Sequence, residues 1–343
     1  MQQASKAKAK ATFKLQQLAW KIAGVWPSVA KQRLWLSEPV KRNSNPDHYL
    51  TVSAIVRNEE PYLVEWIEFH RMLGVSHFFI YDNGSTDNTL DVLAPYELLG
   101  LVTVIPWSNF LSGWEGVSGK SGRMQRLAML HSLSNFGHQS YWMAFIDVDE
   151  FLYPVAGKSL NTLLESYDDL DSLSVYWNMF GTSGHTRKPT GLVIENFTER
   201  LRAPDGKNKN LSRVKSIVKP SAVAGVYNTH TLIMRDGTPS SRNERRQLVS
   251  HYDHSLSTFS NDIIRINHYY SKSLSEYRAR QKVPANGTRQ DFRGNDKLLD
   301  LIQHDSIEDV TIQRFLPELR KKVSGERDYL QNTVRFMHPK SEA

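Results

Sequence analysis

The stretch Tyr141-Trp142-Met143-Ala144-Phe145-Ile146-Asp147-Val148-Asp149-Glu150-Phe151 decides how this chain is read. Its first half is apolar and aromatic, the composition of a buried strand. Its second half sets three carboxylates where the strand gives way to a loop. Residues two apart on an extended backbone share one side, so Asp147 and Asp149 are expected to face the same ligand. Oxygen donors of this kind suit hard divalent cations. Mg²⁺ and Mn²⁺ commonly take one or two carboxylates and complete their shell with phosphate oxygens. The stretch therefore predicts a metal–diphosphate site at the end of a central strand. Taken alone, Asp-x-Asp is common, and acids that only cap a turn explain it as well. The neighbours decide.

Upstream, strands and helices alternate. His48–Val56 is β-rich. Asn58 has the character of an N-cap and Pro61 falls in the first turn of the next helix. Leu63, Trp66, Ile67, Phe69 and Leu73 form that helix's apolar face, and Gly74 ends it. His77–Tyr81 is a second strand, closed by Asp82-Asn83-Gly84-Ser85-Thr86-Asp87. A helix over 88–99, a strand over 101–105, a Gly-rich loop and a helix over 122–136 lead back to the Asp147 strand. Such alternation predicts a parallel sheet with right-handed crossovers, and ligands then sit at the carboxyl ends of the strands. Arg57, Asp82 and Asp147 all fall at such ends.

Downstream the pattern is β-rich and less regular. Strands are expected over 172–177, 192–197, 213–219, 226–234 and 263–270. A loop is expected over 178–185, a basic loop over 235–246, and a charged helix over 273–282. The remainder, 286–343, reads as a mostly helical tail. At the other end, residues 1–47 read as a basic amphipathic extension, with Phe13, Leu15, Leu18, Ile22 and Val25 at near-helical spacing among lysines and tryptophans. This extension is an interfacial helix on anionic lipid, a helix packed on the domain, or an assembly arm.

Composition bounds the rest. The 343 residues are 40% hydrophobic and 23% charged, ordinary values for a folded globular protein. Net charge is +7, and the first 42 residues contain a single acid, Glu38. There is no cysteine, which excludes disulfides and thiolate metal sites and suits a reducing compartment. No apolar run approaches the length that spans a bilayer, and the N-terminus lacks the apolar core of a secretory signal. Asn-x-Ser/Thr sequons at Asn83, Asn196, Asn210 and Asn286 are read as chance.

Val56-Arg57-Asn58-Glu59, the Asp82–Asp87 turn and Asp147–Phe151 form an ordered set. With Glu65-Trp66-Ile67-Glu68-Phe69-His70, the 178–185 loop, Val214-Lys215-Ser216-Ile217-Val218 and Asn267-His268-Tyr269, the sequence over 48–285 resembles the GT-A glycosyltransferases. Within them it is similar to family 92 and the related family 2-like group. The resemblance implies a GT-A α/β fold, a single Rossmann-like and mostly parallel sheet flanked by helices, with helical N- and C-terminal extensions. Residues 48–151 would be its nucleotide-binding half and 152–285 its acceptor half.

The resemblance also implies a nucleotide-sugar donor, UDP-linked in the first instance, and a divalent metal, Mn²⁺ or Mg²⁺. Asp82 would contact base or ribose, with Arg57 and Glu59 lining the same pocket. Asp149 would bind the metal and Asp147 would share metal and ribose contacts. His268 matches the late histidine that completes the metal site, and Gln125 the donor-contacting residue on the preceding helix. Lys120 and Arg123 are expected as phosphate neighbours.

Inverting transfer needs a general base for the acceptor hydroxyl. Glu195, Glu199 and His185 are the candidates, Glu195 foremost. Trp177, Asn178, Phe180 and His185 are candidates for an acceptor subsite, although such aromatics are often core. Arg235, Arg242, Arg245 and Arg246 could meet an anionic acceptor or simply face solvent.

The expected function is a metal-dependent inverting transferase acting on a glycan or lipid-linked acceptor in bacterial surface polysaccharide or lipopolysaccharide synthesis. It would act in the cytoplasm, peripheral on the inner membrane face, with no nucleic-acid partner. A sugar-nucleotide nucleotidyltransferase is a second reading, against which Arg57-Asn58-Glu59-Glu60-Pro61 stands where a Gly-rich signature belongs. A non-enzymatic basic lipid- or nucleic-acid-binding protein is a third.

Overall fold

Nine residues, His48–Val56, form the strand at the centre of the parallel half of the sheet. The computed structural model describes residues 25–26, 34–107, 123–202, 213–238, 240–250, 256–282 and 293–325. In chain order its strands are β1 (Val25–Trp26), β2 (Leu34–Leu36), β3 (His48–Val56), β4 (His77–Asp82), β5 (Val102–Pro106), β6 (Ser140–Phe145), β7 (Glu150–Pro154), β8 (Ser172–Met179), β9 (Glu199–Leu201), β10 (Val214–Val218), β11 (Val223–Val226), β12 (Leu232–Met234), β13 (Ser240–Arg242), β14 (Leu248–Ser250), β15 (Ile264–His268) and β16 (Ser306–Glu308). The helices are α1 (Glu60–Met72), α2 (Thr89–Leu98), α3 (Arg123–Phe136), α4 (Leu160–Glu165), α5 (Val193–Asn196), α6 (Leu274–Lys282) and α7 (Arg293–His304), followed by a helical turn into 316–325.

The main sheet runs β14-β13-β8-β10-β6-β3-β4-β5. The β6-β3-β4-β5 half is parallel, and β10 inserts antiparallel between β6 and β8. This is the α/β architecture expected from the resemblance. Beyond it, β15 pairs with β7 antiparallel and with β8 parallel. It thereby joins the strand that follows the acidic motif to the second half of the sheet.

Why α1 sits where it does is legible residue by residue. Pro61 fits the first turn, whose amide needs no partner. Leu63, Trp66, Ile67 and Phe69 are fully buried against the sheet. Gly74 then takes φ +109°, and a Cβ there would meet the Asn161 side chain at 2.8 Å, so glycine is required.

Five expectations need correction. Asn58 does not cap α1. It adopts φ 56°, Glu59 holds the cap position, and the Asn58 Oδ1 accepts from Thr86 N at 2.7 Å. The amide side chain serves the neighbouring strand end instead of its own helix, a use open to a short polar residue that tolerates the left-handed region.

The 192–197 stretch contains the short helix α5 (Val193–Asn196) and no strand, because Glu65 caps it from the core. The 226–234 strand is two strands, β11 and β12. Asn228 turns the chain between them, its Oδ1 accepting from His230 N and Thr231 N. The basic loop contains β13 and β14, and Arg245 and Arg246 pair with Asp262 and Asp169. Residues 25–26 and 34–36 are strands of a small sheet, β1-β2-β11-β12, not turns of an amphipathic helix. Residues 1–24, where most of that helix was expected, lie outside the described residues. No helix among the described residues is long and apolar enough to cross a membrane.

Candidate functional site

The acidic motif is a tight turn between β6 and β7, not the end of an extended strand. Glu150 N donates to Asp147 O at 3.0 Å, and Asp147 N donates to Glu150 Oε2 at 2.9 Å. In a turn, residues two apart need not share a side, and here Asp147 and Asp149 diverge. Two more contacts clamp the backbone: Trp66 Nε1 donates to Glu150 O at 2.8 Å and Tyr269 N to Asp149 O at 2.8 Å.

Asp147 points to the β10 side. Gln125 Nε2 donates to its Oδ1 at 2.6 Å and Lys215 Nζ to its Oδ2 at 2.7 Å. Lys215 is 2% exposed and also lies 3.4 Å from Glu150 Oε2. Burial alone would lower the Lys215 pKa, but Asp147 and Glu150 outweigh it and raise it.

Asp149 points the other way. Its Oδ1 is 3.5 Å from His268 Nε2, and its Oδ2 is 2.9 Å from Arg280 on α6. Burial pushes the Asp149 carboxyl up, yet the neighbouring His268 and Arg280 win and hold it well below the usual carboxylate range. Burial pushes Glu150 well above that range, against the pull of Lys215.

β15 completes the cluster. Its register sets His268 opposite Glu150 on β7, and paired residues face the same side of a sheet. One donor atom each from Asp149, Glu150 and His268 lies within 4.8 Å of the others. Glu150 Oε1 and His268 Nδ1, both buried, have no protein partner. Buried polar atoms are normally paired, and these two are open to a ligand. The His268 ring packs against Trp177, with centroids 4.3 Å apart.

A second charge group flanks the first. Lys272, at φ 48°, is 3.8 Å from Glu59 and lies 3.3 Å over the Tyr62 ring. Burial brings the Lys272 pKa down to about 8, against Glu59, which raises it. Glu59 itself is raised, by burial first, with Lys272 and Arg280 opposing.

The model of glycosyltransferase family 92 matches residues 47–291. The chain belongs to that family. A rice (Oryza sativa subsp. japonica) protein described as a family 92 glycosyltransferase is 31% identical over 179 residues, 51% of this chain and 28% of its own length. The galactan β-1,4-galactosyltransferase GALS2 of Arabidopsis thaliana is 29% identical over 140 residues, 40% of this chain and 26% of its own. The chain thus spans less than a third of either relative. Among solved structures, S. aureus TarS in complex with UDP superposes with a TM-score of 0.32 at 17% identity, over 51% of this chain and 47% of that one.

Within this family 92 chain, the expected site residues separate into groups. Asp147, Asp149, His268, Gln125 and Glu59 belong to one connected cluster. Asp82 is at the adjoining strand end, where its carboxylate accepts from Gly84 N and Ser85 N and so shapes the 82–87 turn. Arg57 is exposed at the end of β3.

Glu195 is held elsewhere, by Arg320, on a helix whose Val193 and Ile194 amides are capped by Glu65. His185 Nε2 lies 3.1 Å from Asn196 O. A carbonyl only accepts, so that nitrogen carries the proton and is not a free base. Glu199 begins β9. Phe180 is wholly buried and Trp177 and Asn178 nearly so, which makes Phe180 core and not a sugar platform. Lys120 lies outside the described residues, as does the side chain of Arg123.

Lys215, Lys272, Arg280 and Glu150 were not singled out from sequence as site residues. Lys215 carried a signal: a lone lysine inside Val214–Val218, an otherwise buried strand, needs a buried partner.

Proposed function

We propose that this chain is a metal-dependent, inverting glycosyltransferase that moves a sugar from a nucleotide-sugar donor, UDP-linked, to a glycan or glycolipid acceptor. The observation that carries the reading is the Asp149–Glu150–His268 set, with its two buried, unpartnered donor atoms, in a family 92 chain. Two carboxylates and an imidazole suit Mn²⁺ or Mg²⁺, and these three residues would hold it. Bound there, such a cation offsets the charge that develops on the departing diphosphate.

The chain's own residues have distinct parts in this reading. Asp82 and Arg57, at neighbouring strand ends, face the nucleoside, and Asp147, restrained on both oxygens, faces the ribose. Lys272 and Arg280 supply positive charge beside the diphosphate. Glu195 takes the acceptor proton, which requires Arg320 to yield it when acceptor arrives. The Arabidopsis relative is named for a β-linked product. A β product from an α-linked donor is an inversion, which supports the stereochemistry and a polysaccharide-type acceptor.

The reading extends to surface polysaccharide or lipopolysaccharide assembly at the inner face of the cytoplasmic membrane, with the lysine-rich N-terminus as the contact. Flotation with anionic vesicles, comparing the full chain with one lacking residues 1–24, tests that extension. Equal flotation of both removes it.

The central test is calorimetric titration of UDP and of GDP with Mn²⁺ and with EDTA. Metal-dependent binding of UDP, lost in Asp149→Asn, is expected. Binding of neither nucleotide under any metal condition overturns the reading. Glu195→Gln is expected to lower kcat by about 10²-fold or more and leave UDP binding unchanged.

A further inference from the structure

We propose that Lys215 is a positioning residue for the donor site: a fixed internal cation that keeps Asp147 out of the metal's coordination set and makes Glu150, not Asp147, the second carboxylate ligand. The inference rests on the proposed function above.

Three observations carry it. First, both Asp147 oxygens are already engaged, one by Gln125 at 2.6 Å and one by Lys215 at 2.7 Å. Second, Asp147 is not among the donors that converge within 4.8 Å, while Glu150 is. Third, the restraint on Asp147 is built into the fold. Lys215 stands on β10, which is paired on both edges, with β6 and β8. Its aliphatic stem is buried and its Nζ lies 5.9 Å from the centre of the Trp177 ring.

A buried ammonium that lost its carboxylates would be left uncompensated, at a cost of several kcal/mol. Lys215 therefore cannot release Asp147 cheaply, unlike Arg280, whose side chain is 40% exposed. Glu150 converges with Asp149 and His268, and its Oε1 has no partner to give up. Asp147 keeps its fixed orientation and offers an oxygen edge to a neutral donor group such as a ribose hydroxyl. Lys215 touches both Asp147 and Glu150, but only Asp147 has both oxygens engaged; that acid orients the donor, and the two acids that converge with His268 hold the cation.

Calorimetry tests both halves. In the metal arm, Mn²⁺ alone is titrated into wild type, Asp147→Asn, Asp149→Asn and Glu150→Gln. Asp149→Asn and Glu150→Gln should each weaken Mn²⁺ binding by about tenfold or more. Asp147→Asn should change it by less than about threefold. A loss in Asp147→Asn equal to that in Asp149→Asn overturns the assignment.

In the donor arm, UDP is titrated at saturating Mn²⁺ into Asp147→Asn, Lys215→Met and the double variant. If Lys215 acts through Asp147, each single variant weakens UDP binding by a similar factor and the double adds nothing. Additive losses overturn the role of Lys215. Should Lys215→Met fail to fold, Gln125→Ala, which removes the other restraint on Asp147, closes the same cycle. Absence of metal-dependent UDP binding in wild type would instead remove the proposed function itself, so the two failures are distinct.

Discussion

Leu152 donates its backbone N–H to His70 Nε2 at 3.1 Å, across 82 residues of sequence. His70 Nδ1 lies 2.8 Å from Trp66 O, and a carbonyl only accepts, so the ring is neutral with its proton on Nδ1. With Trp66 Nε1 on Glu150 O, helix α1 holds the backbone of β7 just past the acidic turn at two points.

That arrangement makes the fold acid-sensitive. Burial holds the His70 pKa down to about 4, against 6.5 in the unfolded chain. As pH falls from 6.5 toward 4, the unfolded state takes a proton that the folded state refuses. The stability contributed by the neutral ring is intact above pH 6.5 and lost over that window, to a total of about 3 kcal/mol. His70→Gln is expected to be less stable than wild type at about pH 7, and the gap in Tm should narrow at about pH 5. An equal gap at both pH values would show that the ring does not titrate this way.

Glu65 is a structural carboxylate with a functional consequence. Its two oxygens accept from Val193 N at 2.7 Å and Ile194 N at 3.1 Å. In Glu65→Gln one of those amides would face an NH₂ group. The expected cost is about 2–3 kcal/mol of stability, read by denaturant unfolding. Because α5 carries Glu195, kcat should fall while UDP affinity does not. A loss of UDP affinity instead would separate α5 from the acceptor side.

Arg280 pairs with Asp149 Oδ2 at 2.9 Å, the oxygen that the proposed cation would need. Arg280→Ala should tighten Mn²⁺ binding in the absence of nucleotide by about two- to fivefold, the worth of a partly exposed pair. Unchanged or weaker Mn²⁺ binding by calorimetry would mean that Arg280 is not an occupant of the metal's place.

Gly225 permits the close approach of β2 to β11. A Cβ there would stand 2.2 Å from Leu34 O. Gly225→Ala should cost about 1–3 kcal/mol and raise amide hydrogen exchange over residues 34–36 while leaving β3 protected. Unaltered exchange at 34–36 would refute the close packing.

The parallel half of the fold was legible because its signals are local. Val56, Asp82 and Phe145 end strands that their own composition announces, and Pro61 and Gly74 bracket a helix by backbone chemistry alone. The acidic motif was legible as chemistry but not as geometry. A strand-end reading puts Asp147 and Asp149 on one side, whereas the turn closed by Glu150 N and Asp147 O sends them apart. Helix α5 reads as a strand in the sequence because its cap, Glu65, lies 128 residues away from Val193 in the chain. The partners of the cations were hidden for the same reason, although Lys215 stands out as a lone lysine in a buried strand. Lys215, Lys272 and Arg280 meet their carboxylates only through the pairing of β10 and β15 with strands laid down much earlier.

Leu34 of β2 packs in one apolar cluster with Leu127 and Leu130 of α3, and Gln125, less than a turn further back on that helix, holds Asp147. Strand β2 is therefore one helix away from the Asp147 carboxylate. Whatever is fused to, cut from or pulled on at the N-terminal side of β2 acts on a wedge beneath α3. An N-terminal tether, natural or engineered, would be felt in donor affinity before it was felt in the melting temperature.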